Sequence, residues 1–132
     1  MHIVLLYSGL LALLFVALSV RTLRMRRRLR VAVGDGGDEQ LLRAMRVHAN
    51  FAEYAPFGLF LIYLLEVTGG SAILVHTLGS ALLAGRASHA IGVAQVNETF
   101  AFRVAGMALT LTAITVAALR LLYVYATTAV AG

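Results

Sequence analysis

The chain has 132 residues, 61% of them hydrophobic and 13% charged, with a mean hydropathy of +0.88 and a formal net charge of +5. Soluble domains average nearer half apolar and a quarter charged, so this composition points to a membrane protein. With no cysteine there is no disulfide framework and no protein thiolate, and the eleven basic residues, all arginine, cluster six-fold between Arg21 and Arg30, as a membrane flank does and a nucleic-acid surface does not.

Ile3 to Val20 is an uncharged run of 18 residues, near the lower limit for a membrane crossing. The arginines follow this run instead of preceding it, and no Ala-x-Ala site separates the two, so the reading is a retained first helix over about 3–26 and not a signal peptide. Gly34-Asp35-Gly36-Gly37-Asp38 makes a loop, and Asp35 or Asp38 is placed to cap the second helix, expected over about 39–66. Pro56 falls inside that helix and predicts a kink, which either aims Glu53 or records packing strain. Val67-Thr68-Gly69-Gly70-Ser71 is a turn, and a third helix follows over about 72–93, with Gly79, Ser80 and Ala84 small enough for close contact.

Ala94 to Thr99 reads as another turn, with Asn97 as a possible cap. The fourth helix spans about 100–125, with small positions at Gly106, Ala108, Thr110, Thr112, Ala113 and Ala117, and Thr127 to Gly132 is expected to fray. In the absence of tryptophan, Tyr7, Tyr54, Tyr63, Tyr123 and Tyr125 are left as interfacial anchors. The fold expected is an all-α membrane protein, a bundle of four transmembrane helices in one domain over 1–132. The arginine flank places the Arg21–Arg30 loop in the cytoplasm and both termini outside.

This topology carries Arg46, Asn50, Glu53, Arg86, His89 and Arg103 to the cytoplasmic half, from three separate helices. Arg46, Asn50 and Glu53 are spaced i, i+4, i+7, within a narrow sector of one helix face, with Tyr54 beside them. Guanidiniums and a single carboxylate suit a ligand with both carboxylate and ammonium groups. The structural alternative is that Arg46 and Glu53 satisfy each other. At the opposite end Glu66 and Arg120 read as a structural ion pair or as two wet interfacial residues. No metal-ligand spacing, phosphate-binding glycine loop or nucleophile–base–orienter set is found, and His48 falls on the wrong side of its helix to join His89 on a metal.

Arg46-Val47-His48-Ala49-Asn50-Phe51-Ala52-Glu53-Tyr54-Ala55-Pro56 resembles the second-helix signature Arg-x-x-x-Asn-x-x-Glu-Tyr-x-Pro of the MAPEG family, the membrane-associated proteins in eicosanoid and glutathione metabolism. Leu29 to Gly37 and Phe102 to Thr110 support the likeness, which is nearest to the small bacterial members and covers nearly the whole chain. The resemblance implies a homotrimer in the bacterial inner membrane that binds glutathione, as thiol co-substrate, between neighbouring protomers near the cytoplasmic side.

The resemblance also implies roles for individual residues. Arg46 would hold a glutathione carboxylate, Asn50 the peptide or the sulfur-side region, Glu53 the γ-glutamyl ammonium, and Tyr54 a hydroxyl contact. Arg86 aligns with the basic residue late in the third helix, while His89 and Val93 stand where eukaryotic members carry tyrosines. Arg103 matches the catalytic arginine. A guanidinium there would favour the anion of a thiol whose ordinary pKa is about 8.5.

The function so implied is that of a glutathione S-transferase-like enzyme. It would activate the thiolate for attack on a hydrophobic small-molecule electrophile, with lipid hydroperoxide reduction as a side activity. The alternatives are a non-catalytic lipid- or thiol-binding membrane protein of the same fold, and an enzyme using a different low-molecular-weight thiol.

Overall fold

The computed structural model describes residues 2–94 and 100–130, and among them there are four α-helices and no strand. These are α1 (Ile3–Leu29), α2 (Glu39–Val67), α3 (Ala72–Val93) and α4 (Phe100–Val130). The turn expected at Ala94 to Thr99, with Asn97 as its cap, lies outside the described residues except for Ala94. Helix α4 runs to Val130, so the fraying expected from Thr127 does not occur in the described part. Helices α1 and α4 are each long and apolar enough to cross a membrane.

Helix α1 extends a turn further than expected because its arginines belong to the helix. Arg26, Arg27 and Arg28 occupy the last turn, where cations offset the negative end of the helix dipole. Arg30 then takes a left-handed conformation (φ 56°), and the Val31 N–H closes back on the Arg26 carbonyl at 3.0 Å, which satisfies the helix end. Arg26 also donates to the carbonyls of Ala32 and Gly34 and so folds the following loop against the helix. Asp38 is the cap of α2, its Oδ1 accepting the Leu41 N–H at 2.8 Å, while Asp35 instead accepts from Gly37 within the loop. Helix α2 stays helical through Pro56.

The buried residues of α2 (Leu41, Ala44, Val47, Phe51, Ala55, Gly58, Ile62 and Leu65) recur every three or four positions and form one stripe. This stripe packs on α1, α3 and α4, and α3 and α4 share the most extensive contact. A Cβ on Gly106 would lie 2.5 Å from the His89 nitrogen and 2.7 Å from the Gly85 carbonyl oxygen, so the α3 and α4 backbones meet directly. Thr110, Ala113 and Ala117 continue the α4 seam and are buried, whereas Ala84, Ala108 and Thr112 face outward and take no part in it.

Two expectations for the far end are corrected. Glu66 does not pair with Arg120: its carboxylate accepts the N–H groups of Ile3 (2.6 Å) and Val4 (3.1 Å) and caps α1 from another helix. The Arg120 guanidinium lies over the Tyr123 ring, 4.9 Å from its centre. Tyr7 is not an interfacial anchor but a core residue, packed on Gly79 with its hydroxyl 2.7 Å from Ser80 Oγ and 3.0 Å from the His76 carbonyl. Tyr54 is half-buried inside the bundle, which leaves Tyr63, Tyr123 and Tyr125 exposed.

These contacts fix the directions of the helices. The start of α1 meets the end of α2 through Glu66 and the start of α3 through Tyr7. The Arg21 guanidinium reaches the Ala94 carbonyl at 2.8 Å, and Gly92 packs on Arg103. The helices therefore alternate in direction, and the arginine-rich end of α1, the start of α2, the end of α3 and the start of α4 share one end of the bundle.

Candidate functional site

That shared end is built on Arg86. It is 1% exposed, held where the glycine contacts bring α3 and α4 closest. Its Nε donates to Thr110 Oγ1 at 2.9 Å, Nη1 to Asn50 Oδ1 at 2.6 Å, and Nη2 to the Met107 sulfur at 3.3 Å. Its guanidinium carbon stands 5.3 Å from the centre of the Tyr54 ring. The Thr110 hydroxyl donates its own hydrogen bond to the Gly106 carbonyl at 2.8 Å, which leaves its oxygen free to accept from Arg86.

Neutral dipoles and a π face thus satisfy the geometry of the buried cation, but no carboxylate among the described residues cancels its charge. A buried charge without a counter-ion is costly, and an anion nearby relieves that cost.

Asn50 links Arg86 to an open cavity of about 280 Å³. Its oxygen is spent on Arg86, so its two amide N–H donors have no partner among the described residues. Arg46 and Asn50 line this cavity together with His89 and Arg103, joined by Arg43 and Val93. Arg43 is paired with Glu39, one turn earlier, at 2.9 Å. Four of the predicted residues therefore share one cavity, and Arg86 and Tyr54 lie next to it through Asn50.

Glu53 behaves differently. It is exposed two turns further along the same face of α2, does not line the cavity, and forms no ion pair with Arg46. The reading that Arg46 and Glu53 satisfy each other is overturned. They stand two turns apart on one helix, about 10 Å at 1.5 Å per residue. His48 faces away from the site, bonded to Ser19 Oγ at 2.9 Å and stacked on Phe15.

Thr110 and Met107 are the residues that sequence reasoning missed as part of the site. Thr110 looked like one more small packing position. Its role depends on the register in which α4 meets α3, and its spacing four residues after Gly106 was the sole hint.

A bundle of apolar helices with an arginine-lined cavity at its arginine-rich end fits a membrane protein. The MAPEG family model matches residues 4–123, and the chain belongs to that family. It is similar to inner membrane protein YecN of Escherichia coli (strain K12), 40% identical over 105 residues, which covers 80% of this chain and 79% of that protein. The same protein from E. coli O6:H1 (strain CFT073) matches to the same extent.

Proposed function

We propose that this protein is a glutathione S-transferase-like enzyme of the bacterial inner membrane, which binds glutathione and activates its thiolate toward a hydrophobic electrophile. The observation that carries the reading is the cavity: three guanidiniums around it, a fourth buried with no counter-carboxylate among the described residues, and a single carboxylate, Glu39, on its described wall. The inner-membrane location rests on the likeness to the inner membrane protein YecN and on the arginine flank of α1.

Each residue has a defined task in this reading. Arg46 clamps a glycyl or γ-glutamyl carboxylate in bidentate fashion. Asn50 donates its unused amide N–H groups to a peptide carbonyl. Glu53 takes the ammonium group, and Tyr54 adds its hydroxyl. The roughly 10 Å between Arg46 and Glu53 is within the reach of a tripeptide, which spans about 10 Å when extended.

Arg103 stands at the cavity and stabilises the thiolate, whose negative charge moves to the leaving group or to a peroxide oxygen during the reaction. Arg86 holds Asn50 in the donating orientation and adds positive potential beneath it. An exposed carboxylate on an apolar helix is costly in lipid, so Glu53 favours an oligomer, a homotrimer by the family resemblance, in which a neighbouring protomer covers this residue and completes the site.

Calorimetric titration of the detergent-solubilised protein with glutathione tests the reading, alongside turnover of a chlorodinitrobenzene electrophile. Saturable binding that is lost in Arg46→Ala, with turnover in the unaltered chain, is the expected result. His89 and Val93 line the cavity where the family resemblance leads one to expect tyrosines, and this favours a second reading, a different low-molecular-weight thiol. Binding of cysteine or another thiol in place of glutathione would select it, and tight binding without turnover would leave a thiol- or lipid-binding protein of the same fold.

A further inference from the structure

A thiol that becomes a thiolate must give its proton to something. Arg103 can hold the anion once it exists, but a guanidinium takes up no proton. Of the described residues on the cavity wall, only Glu39 and His89 carry groups that accept a proton near neutral pH. Glu39 is bonded to Arg43 at 2.9 Å and sits in the first turn of α2, about 10 Å along the helix before Arg46. Carboxylates are also weaker bases than imidazole.

His89 is placed differently. It is only 7% exposed, yet it lines the cavity. The glycine seam sets where it stands against Arg103. A Cβ on Gly106 would lie 2.5 Å from the His89 nitrogen and 2.8 Å from the His89 Cβ, and one on Gly92 would lie 2.5 Å from the Arg103 nitrogen. His89 therefore faces Gly106 and Arg103 faces Gly92 across two antiparallel helices. The two side chains are offset by about 4.5 Å along the axis, and both reach the cavity. The charged groups around His89 are Glu39, Arg43 and Arg46 from α2, Arg103 from α4, Arg86 one turn earlier on α3, and Arg21 of α1, which reaches the Ala94 carbonyl.

We propose that His89 is the general base of thiol activation. The proposal rests on the enzymatic reading and holds for glutathione or for another small thiol. The S–H bond breaks, its electron pair stays on sulfur beside Arg103, and the proton goes to the unprotonated imidazole nitrogen. In water that transfer runs about a hundredfold uphill. The guanidiniums offset this by stabilising the anion. The imidazolium so formed stands among like charges and hands its proton to solvent through the open side of the cavity. His89 thus sets the rate of thiolate formation and not its final extent.

The test mixes the detergent-solubilised protein with glutathione, or with cysteine where the titration selects it, and follows the ultraviolet absorbance of the thiolate by stopped flow. His89→Gln keeps the bulk of the side chain without its base. It is expected to slow thiolate formation about a hundredfold while the final amplitude and the thiol affinity stay within about twofold of the unaltered chain. His89→Ala should be as slow, and millimolar imidazole, entering the space left by the ring, should restore its rate in proportion to concentration. The same imidazole should not restore Arg103→Leu. His48→Gln, whose ring faces Ser19 and Phe15, should keep the full rate.

An unchanged rate in His89→Gln would overturn the proposal, and this variant decides the matter if His89→Ala does not fold. Loss of affinity and amplitude in step with the rate would make His89 a binding residue and overturn it as well. So would a folded His89→Ala that imidazole does not restore. Absence of thiolate in the unaltered chain would instead overturn the enzymatic reading, and this proposal with it.

Discussion

Arg86 shows how one side chain organises the site, and its fork geometry makes a prediction. Lysine would keep the charge but lacks the planar fork that places separate nitrogens against Thr110, Asn50 and Met107. Arg86→Lys is therefore expected to weaken glutathione binding roughly tenfold in calorimetry while circular dichroism stays unchanged, because the loss falls on the orientation of Asn50. Thr110→Val leaves Arg86 Nε without its acceptor and should lower stability by about 0.6–2 kcal/mol, read as a lower Tm in detergent. Arg103→Leu should reduce kcat more than glutathione affinity, because a thiolate contact matters most where charge sits on sulfur; equal loss of both would make Arg103 a general binding residue. Glu53→Gln should weaken binding and leave the oligomer intact, and unchanged binding would remove Glu53 from the site. The motif Arg46, Asn50, Glu53, Tyr54 was legible in the sequence because helical spacing places these residues on neighbouring faces of α2. That Asn50 turns its oxygen inward to Arg86, and that Thr110 holds the far side of the same guanidinium, was not legible, because each bond crosses between helices.

The helices were readable to within a turn, and the differences have local causes. Helix α1 absorbs its arginines because cations favour a helix C-terminus, and α2 begins at Glu39 because Asp38 caps it. Only some of the small residues expected at packing positions pack, and which of them do depends on the phase of one helix against another. Gly106 and Gly85 meet, while Ala84 and Ala108 point away. Gly106→Ala should therefore lower stability by about 1–3 kcal/mol, since backbone atoms of α3 block the new methyl group and cannot turn aside. Gly9→Ala meets open space and should leave Tm unchanged or raise it slightly. Thermal unfolding of the two variants in the same detergent checks the pair.

At the scale of the whole molecule, alternating helices bring the arginine-rich end of α1 together with the candidate cavity. The charge-derived topology expects that end to face the cytoplasm and the Gly69-Gly70 turn to face outward. The chain has no cysteine, so single introduced cysteines report sides cleanly. In right-side-out cells Ser71→Cys is expected to react with a membrane-impermeant maleimide, and Val33→Cys only after the membrane is opened; the reverse pattern would invert the topology. Exposed Glu53 predicts that the protomer does not stand alone, and native mass spectrometry from detergent should return a trimer. A monomer that still bound glutathione would show that the cavity is complete within one chain.

The sequence by itself determined the class, the four helices, the second-helix motif and the polar end of the bundle. All of these follow from short-range periodicity and from the cost of charge in lipid, which any single segment expresses. Tertiary structure alone decided that Glu66 caps α1 instead of pairing with Arg120, that Tyr7 is core, and that Arg46 and Glu53 stay apart. It also decided that Arg86 is buried on Thr110, Met107 and Asn50. Those choices depend on which faces of different helices meet, and at a glycine seam that register is set by backbone contact, which leaves little trace in the hydrophobic pattern of any one helix.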